Sequence, residues 1–197
     1  EIKNTSVLKF FIKRILASAT KQLSVHTIYN ELKSSGFKIG KNMLYEYLDA
    51  CQSIYLAFVL KKYAHKLVSR ELGERKVYSI DNGLLNAVSF KFSDDKGKAM
   101  EQAVFLELKR KGKEIYFYKE RYECDFVVKE GNSISEIMQV AYNLSDEKTK
   151  KREIRGVVDA CKTFDKKSGI IITNEAIQDF EIDKIKIQVV PLYQWLL

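Results

Sequence analysis

The feature that most constrains this chain is the order of its hydrophobic periods: three stripes at helical spacing come first, and extended runs begin only after them. From Thr5 to Ala19 the residues Leu8, Phe11, Ile12, Ile15 and Leu16 recur every three or four positions, and Thr5 is placed to cap the helix they mark. Ser24 signals a second N-cap ahead of Ile28 and Leu32, and Gly36 a stop. A third stripe, Met43, Leu44, Tyr47, Leu48 and Cys51, predicts a helix over Lys41 to Gln52. Two strand-like runs follow, Ile54 to Leu60 and Lys76 to Ile80. The basic stretch between them, through Lys66, Arg70 and Arg75 with Gly73, predicts a β-hairpin with a polar tip. Three helices and a hairpin form the winged-helix pattern, in which the third helix enters a major groove and the hairpin touches backbone. This domain is expected over residues 1–93.

Charge points to an anionic partner for it. Residues 1–95 hold 15 Lys and Arg against 9 Asp and Glu, whereas residues 96–197 hold 19 against 17. The expected nucleic-acid contacts are Lys38, Lys41, Asn42 and Tyr45 at the third helix and Lys66, Arg70 and Arg75 in the hairpin. Glu46 and Asp49 on the same helix oppose phosphate, so packing on a neighbouring domain is the competing role.

Residues 94–197 read as an α/β domain with a boundary near Asp94, after the Asp81-Asn82-Gly83 turn signal. A helix over Lys98 to Lys111 buries Val104, Phe105 and Leu108 and stops at Gly112. Extended runs Glu114 to Lys119, Tyr122 to Lys129 and Ser133 to Asn143 predict an antiparallel meander whose last two strands join through Glu130-Gly131-Asn132. Ser145 is expected to cap a long helix reaching Phe164. Strands Ile170 to Thr173 and Ile185 to Val190 follow, and Pro191 opens a short last helix. This order gives a mixed central sheet and matches the core of the restriction-endonuclease-like fold.

Nuclease chemistry on such a sheet needs acids converging on Mg²⁺ and a lysine beside the attacking water. Strand alternation puts Glu123, Asp125 and Val127 on one face and Cys124, Phe126 and Val128 on the other, while Ser135, Ile137, Gln139 and Ala141 share a face of the next strand.

The segments Val77-Tyr78-Ser79-Ile80-Asp81-Asn82-Gly83-Leu84-Leu85, Gly97-Lys98-Ala99-Met100-Glu101, Tyr122-Glu123-Cys124-Asp125-Phe126-Val127, Met138-Gln139-Val140-Ala141-Tyr142 and the closing Val190-Pro191-Leu192-Tyr193-Gln194-Trp195-Leu196-Leu197 resemble the C-terminal half of prokaryotic AAA+-type ATPases. The resemblance implies an upstream P-loop ATPase domain, then a winged helix, then a PD-(D/E)xK nuclease-like domain of unknown function. It puts Glu101 and Asp125 at acidic metal positions, and Gln139 and Ala141 where active enzymes carry the second acid and the lysine. With alanine at the lysine position the set is degenerate. A basic residue of the following helix, from Lys148, Lys150, Lys151, Arg152 or Arg155, is the candidate replacement. The competing reading of that run is a solvated face with a Glu147 to Lys151 pair, and Glu101 and Asp125 have a structural alternative in pairing with Lys98 or Arg121.

No GxxxxGK[ST] occurs, so ATP is expected only of the upstream domain and no cofactor of this region beyond Mg²⁺. The expected partners are DNA, the chain's own ATPase domain, and a protein partner or second copy. A nucleic-acid-binding or coupling module is the leading function; a Mg²⁺-dependent endonuclease and an oligomerisation domain are the alternatives. Apolar runs are much shorter than the roughly 18–20 residues that span a bilayer, and no export signal opens the chain, which predicts a cytoplasmic fragment. Cys51, Cys124 and Cys161 are odd in number and widely spaced, which predicts buried thiols rather than disulfides or zinc ligands.

Overall fold

The computed structural model describes residues 4–88, 96–175 and 178–197 of the 197-residue chain. It is a mixed α/β structure that divides into two compact units, Glu1–Leu60 with Glu74–Asp94, and Lys61–Gly73 with Asp95–Leu197. The expected boundary near Asp94 lies outside the described residues.

The first unit opens with α1 (Thr5–Ala17), α2 (Val25–Ser34) and α3 (Lys41–Ser53). Asn4, not Thr5, caps α1, its Oδ1 accepting the Val7 amide at 3.1 Å; a carboxamide one position earlier reaches the free amides, which leaves Thr5 in the first turn. Ser24 caps α2 as its sequence suggests, accepting from Thr27 N. The three stripes meet in one core of Phe11, Ile15, Ile28, Leu32, Leu44 and Leu48, with Phe11 tilted on Tyr47 at 6.1 Å between ring centroids. Glu31 of α2 receives both Nε and Nη2 of Arg14 from α1 at 2.7 Å, a bidentate clasp at the rim of this core.

The expected hairpin is built differently. β1 (Ala57–Lys61) is followed by a short helix, α4 (Leu67–Leu72), before β2 (Arg75–Ser79) pairs with β1, and α5 (Asn82–Val88) follows. Leu67-Val68-Ser69-Arg70-Glu71-Leu72 lacks alternation and is rich in helix formers, so it closes a helical turn where a simple polar tip was expected. The far side of β2 is occupied by the α1–α2 connection, whose Thr20 and Leu23 amides donate to Val77 O and Arg75 O, each at 2.8 Å.

The second unit is organised by a six-stranded sheet. α6 (Lys96–Arg110) leads into β3 (Glu114–Lys119), β4 (Glu123–Glu130) and β5 (Ser133–Val140); then come α7 (Glu147–Thr163), β6 (Ser168–Thr173), β7 (Phe180–Ile182), β8 (Ile185–Pro191) and α8 (Leu192–Trp195). The spatial order is β3-β4-β5-β6-β8-β7. β3, β4 and β5 form the antiparallel meander, β5-β6 and β6-β8 are parallel, and β7 runs antiparallel to β8, so the sheet is mixed. Gly131 turns β4 into β5 at φ 57°, a conformation open to glycine at little cost. Residues 62–63 pair beside β3, with Tyr63 N donating to Phe117 O at 2.8 Å and the Tyr63 ring edge-on to Phe164 at 4.8 Å.

Two local expectations change. Asp146, not Ser145, caps α7, accepting the Thr149 amide at 2.7 Å, while the Ser145 hydroxyl is used on Asn143. The strict alternation along β4 also breaks. Tyr116 faces Val127 and Tyr118 faces Cys124, so two residues, Asp125 and Phe126, stand opposite Phe117 alone. This bulge shifts the phase. Cys124 and Val127 both join the core under α7, and Phe126 turns to Phe105 of α6 with ring centroids 6.5 Å apart. All three cysteines are buried and reduced.

α7 lies against the sheet through Ile154, Val157, Val158 and Cys161, and at Gly156 the helix leaves no room for a side chain. A Cβ there would stand 2.1 Å from the Glu123 carbonyl oxygen, a backbone atom that cannot swing aside. Gly156→Ala is therefore expected to lower unfolding free energy by about 2–4 kcal/mol, read as a reduced urea midpoint at unchanged slope.

Candidate functional site

Where β4 and β5 separate, side chains replace the ladder. The backbone register ends at Phe126 opposite Met138. Beyond it the Asp125 amide donates to Gln139 Oε1 at 3.0 Å, and Asp125 Oδ2 accepts the Val140 amide at 3.1 Å. Both residues are only 6 % exposed, and the two reciprocal bonds satisfy backbone donors that the bulge would otherwise strand.

The Gln139 carboxamide continues the chain, its Nε2 donating to Glu153 Oε2 at 2.7 Å. Glu153 of α7, also 6 % exposed, receives Arg152 through its other oxygen, with Nε 2.9 Å away. Arg152 itself lies mostly in solvent, so its charge is screened. Burial therefore dominates and pushes the Glu153 carboxyl above the usual carboxylate range, with nearby Asp125 adding to the rise against the opposing Arg152. Glu153 in turn holds the Arg152 guanidinium above its ordinary value.

Of the positions singled out in sequence, Asp125 and Gln139 are brought together. Ala141 lies 6 % exposed in the core against α7, and its amide donates to Ile172 O at 3.0 Å, so its methyl is a packing group on the β5 face that also carries Gln139. Glu101 is half-buried on α6, one turn before Phe105. Among the described residues, no group of three or more His, Cys, Asp or Glu side chains is placed to hold a metal ion. Of the basic run on α7, Arg152 is the residue that joins the network, Lys150 lies over the Phe180 ring at 4.8 Å, and no Glu147 to Lys151 salt bridge forms among the described residues.

Glu153 is the site residue that sequence reasoning missed. Its signal was present: Glu153 precedes Gly156 and Val157 by three and four positions, which puts it on the buried stripe of α7. The surrounding Lys148 to Arg155 charges masked it.

The expected nucleic-acid residues divide between the units. Lys38, Lys41, Asn42 and Tyr45 are exposed at the start of α3, with Lys41 Nζ 5.3 Å from the Tyr29 ring centroid, and Arg75 is half-buried on β2. Lys66 and Arg70 flank and occupy α4 in the second unit, where Arg70 is near Glu71 at 3.9 Å.

A raised carboxyl makes the folded state bind its proton more readily than the unfolded chain does. The stabilisation is complete below the unfolded value of 4.5 and is lost as pH rises through the raised folded value. Glu107, pulled down to about 2 by Arg110, acts with the opposite sign and at lower pH. As pH rises above the unfolded value of 4.5, the stability of the wild type relative to Glu153→Gln is expected to fall, as read from urea midpoints; a pH-independent difference would remove this account of the network.

Residues 96–195 match the family described as "Domain of unknown function (DUF4143)". Along its whole length the chain is 34% identical over 207 residues to an uncharacterized protein of Methanocaldococcus jannaschii, 45% of which it covers. It is 25% identical over 197 residues to an uncharacterized protein of Haemophilus influenzae, covering 47% of that protein. The chain thus spans about half the length of the curated relatives it matches. No solved structure matches it. Among the described residues no helix is long and apolar enough to cross a membrane. By the match over its second half, the chain belongs to the DUF4143 family.

Proposed function

We propose that this chain is the non-ATPase C-terminal region of an AAA+-type ATPase, in which a winged helix recognises DNA and a nuclease-like domain couples that recognition to the upstream motor without cutting. The observation that carries the non-cleaving half is the engagement of Gln139 at both ends of its amide, with Asp125 N and with Glu153, beside a buried Ala141 methyl. Cleavage requires a positioned ammonium and open acidic oxygens near the phosphate. Here the carboxamide and one Asp125 oxygen serve the protein's own backbone and α7.

Support for the recognition half is the exposed face at the start of α3, where Lys38, Lys41, Asn42 and Tyr45 present cationic and hydrogen-bonding groups. Glu46 and Asp49 farther along the same helix restrict phosphate contact to its first turn. The winged helix of this reading comprises the first unit, with α4 outside it.

Fluorescence anisotropy with duplex DNA at 50 and 200 mM salt tests the recognition half; binding is expected to weaken steeply with salt, and Lys41→Ala to reduce the salt slope by about 1. Absence of binding at the lower salt would exclude DNA and leave a protein partner. Plasmid nicking in Mg²⁺ or Mn²⁺ that vanishes in Asp125→Asn would overturn the non-cleaving half.

A further inference from the structure

A groove of about 410 Å³ opens in the second unit beside α7, bounded by the β3–β4 turn and the β7–β8 turn. It lies within the range of small-ligand sites and is too small to admit a duplex. Its apolar lining comes from Ile154 and Val158 of α7 and from Ile182.

The charges around the groove are not evenly satisfied. At one rim Lys162 is neutralised by Asp183, Nζ to Oδ2 at 2.5 Å. Asp159 is turned toward the protein, its Oδ2 accepting the Tyr118 hydroxyl at 3.0 Å and the Tyr122 amide at 3.3 Å. Arg121, Lys151 and Arg155 remain, exposed and with no carboxylate within salt-bridge distance among the described residues. The two guanidinium carbons stand 5.5 and 5.8 Å from the Tyr122 ring centroid, so an aromatic ring holds both forks at the mouth.

Guanidinium forks match phosphate oxygens in pairs, and their flat faces also stack on bases. Two such forks and an ammonium beside an apolar floor provide for a phosphate and a flat ring at once. A bare anion would use the cations and leave the floor empty. We propose that this groove binds a nucleotide, its phosphate on Arg121, Arg155 and Lys151 and its base against Ile154, Val158 and Ile182. The nucleotide is either free or a unit of a single strand. This goes beyond the DNA contact assigned to α3 and depends on none of its residues.

The test is titration of the whole chain with AMP, with inorganic phosphate and with a labelled ten-residue oligo-dT. AMP is expected to bind more tightly than phosphate. Arg121→Ser with Arg155→Ser is expected to weaken it by about tenfold or more, and the uncharged Ile182→Ser to weaken AMP while leaving phosphate unchanged. Oligo-dT bound with the same arginine dependence identifies a strand as the source, and AMP alone a free nucleotide; either supports the site. Lack of AMP and oligo-dT binding, binding untouched by the double substitution in a variant with unchanged melting, or phosphate binding as tightly as AMP would overturn it. Duplex binding is expected to survive the double substitution and to weaken with Lys41→Ala, whereas AMP binding weakened by Lys41→Ala would overturn the assignment to this groove.

Discussion

The bulge that sets Asp125 and Phe126 against Phe117 is the constraint on which the second unit depends. One extra residue in β4 ends its register with β5 at Phe126 and leaves two backbone amides, of Asp125 and Val140, without a ladder partner. A buried amide without a partner costs about 1–3 kcal/mol, so this sheet needs side chains of the right length and polarity at that point. Asp125 and Gln139 supply them, each accepting the amide on or next to the other. Gln139 then reaches Glu153, which anchors α7 over the gap, and Gly156 one turn later allows the helix to lie against β4. Bulge, network and helix approach form one arrangement.

That arrangement explains what was legible in the sequence and what was not. The three helical stripes, the meander and the turn at Gly131 follow from local periodicity and turn chemistry, and they are found where the residues put them. Asp125 stood out as a carboxylate in an apolar strand, and Gln139 as a polar residue on a face shared with Ile137 and Ala141. The bulge itself was not legible, because no glycine or proline marks it and alternation assumes an unbroken pleat. With the phase lost after Asp125, the facing of Val127 was misassigned. Glu153 was hidden for another reason: a buried acid among five basic residues has the composition of a solvated helix face, and only its register with Gly156 and Val157 reveals it. Helix α4 and strand β7 escaped notice because each is too short to show a period, at six and three residues.

Charge is distributed in a way the totals do not reveal. The second half has nearly balanced acids and bases, yet the acids of its groove are already engaged by Tyr118, Tyr122 and Lys162, leaving Arg121, Lys151 and Arg155 without a carboxylate partner among the described residues. Local pairing, rather than net charge, decides which cations are available to a ligand. In the first half, conversely, Arg14 is fully engaged by Glu31 and contributes little to any outward field despite the basic total.

The pairing of residues 62–63 beside β3 has a further consequence. β3 ends the sheet on that side, and an open outer strand is a template for adding strands from other molecules. Lys62 and Tyr63 occupy the Phe117 position of that border, with Tyr63 locked between Tyr116 and Phe164. The segment thus covers, at the Phe117 position, part of an edge that would otherwise stand open to strand addition.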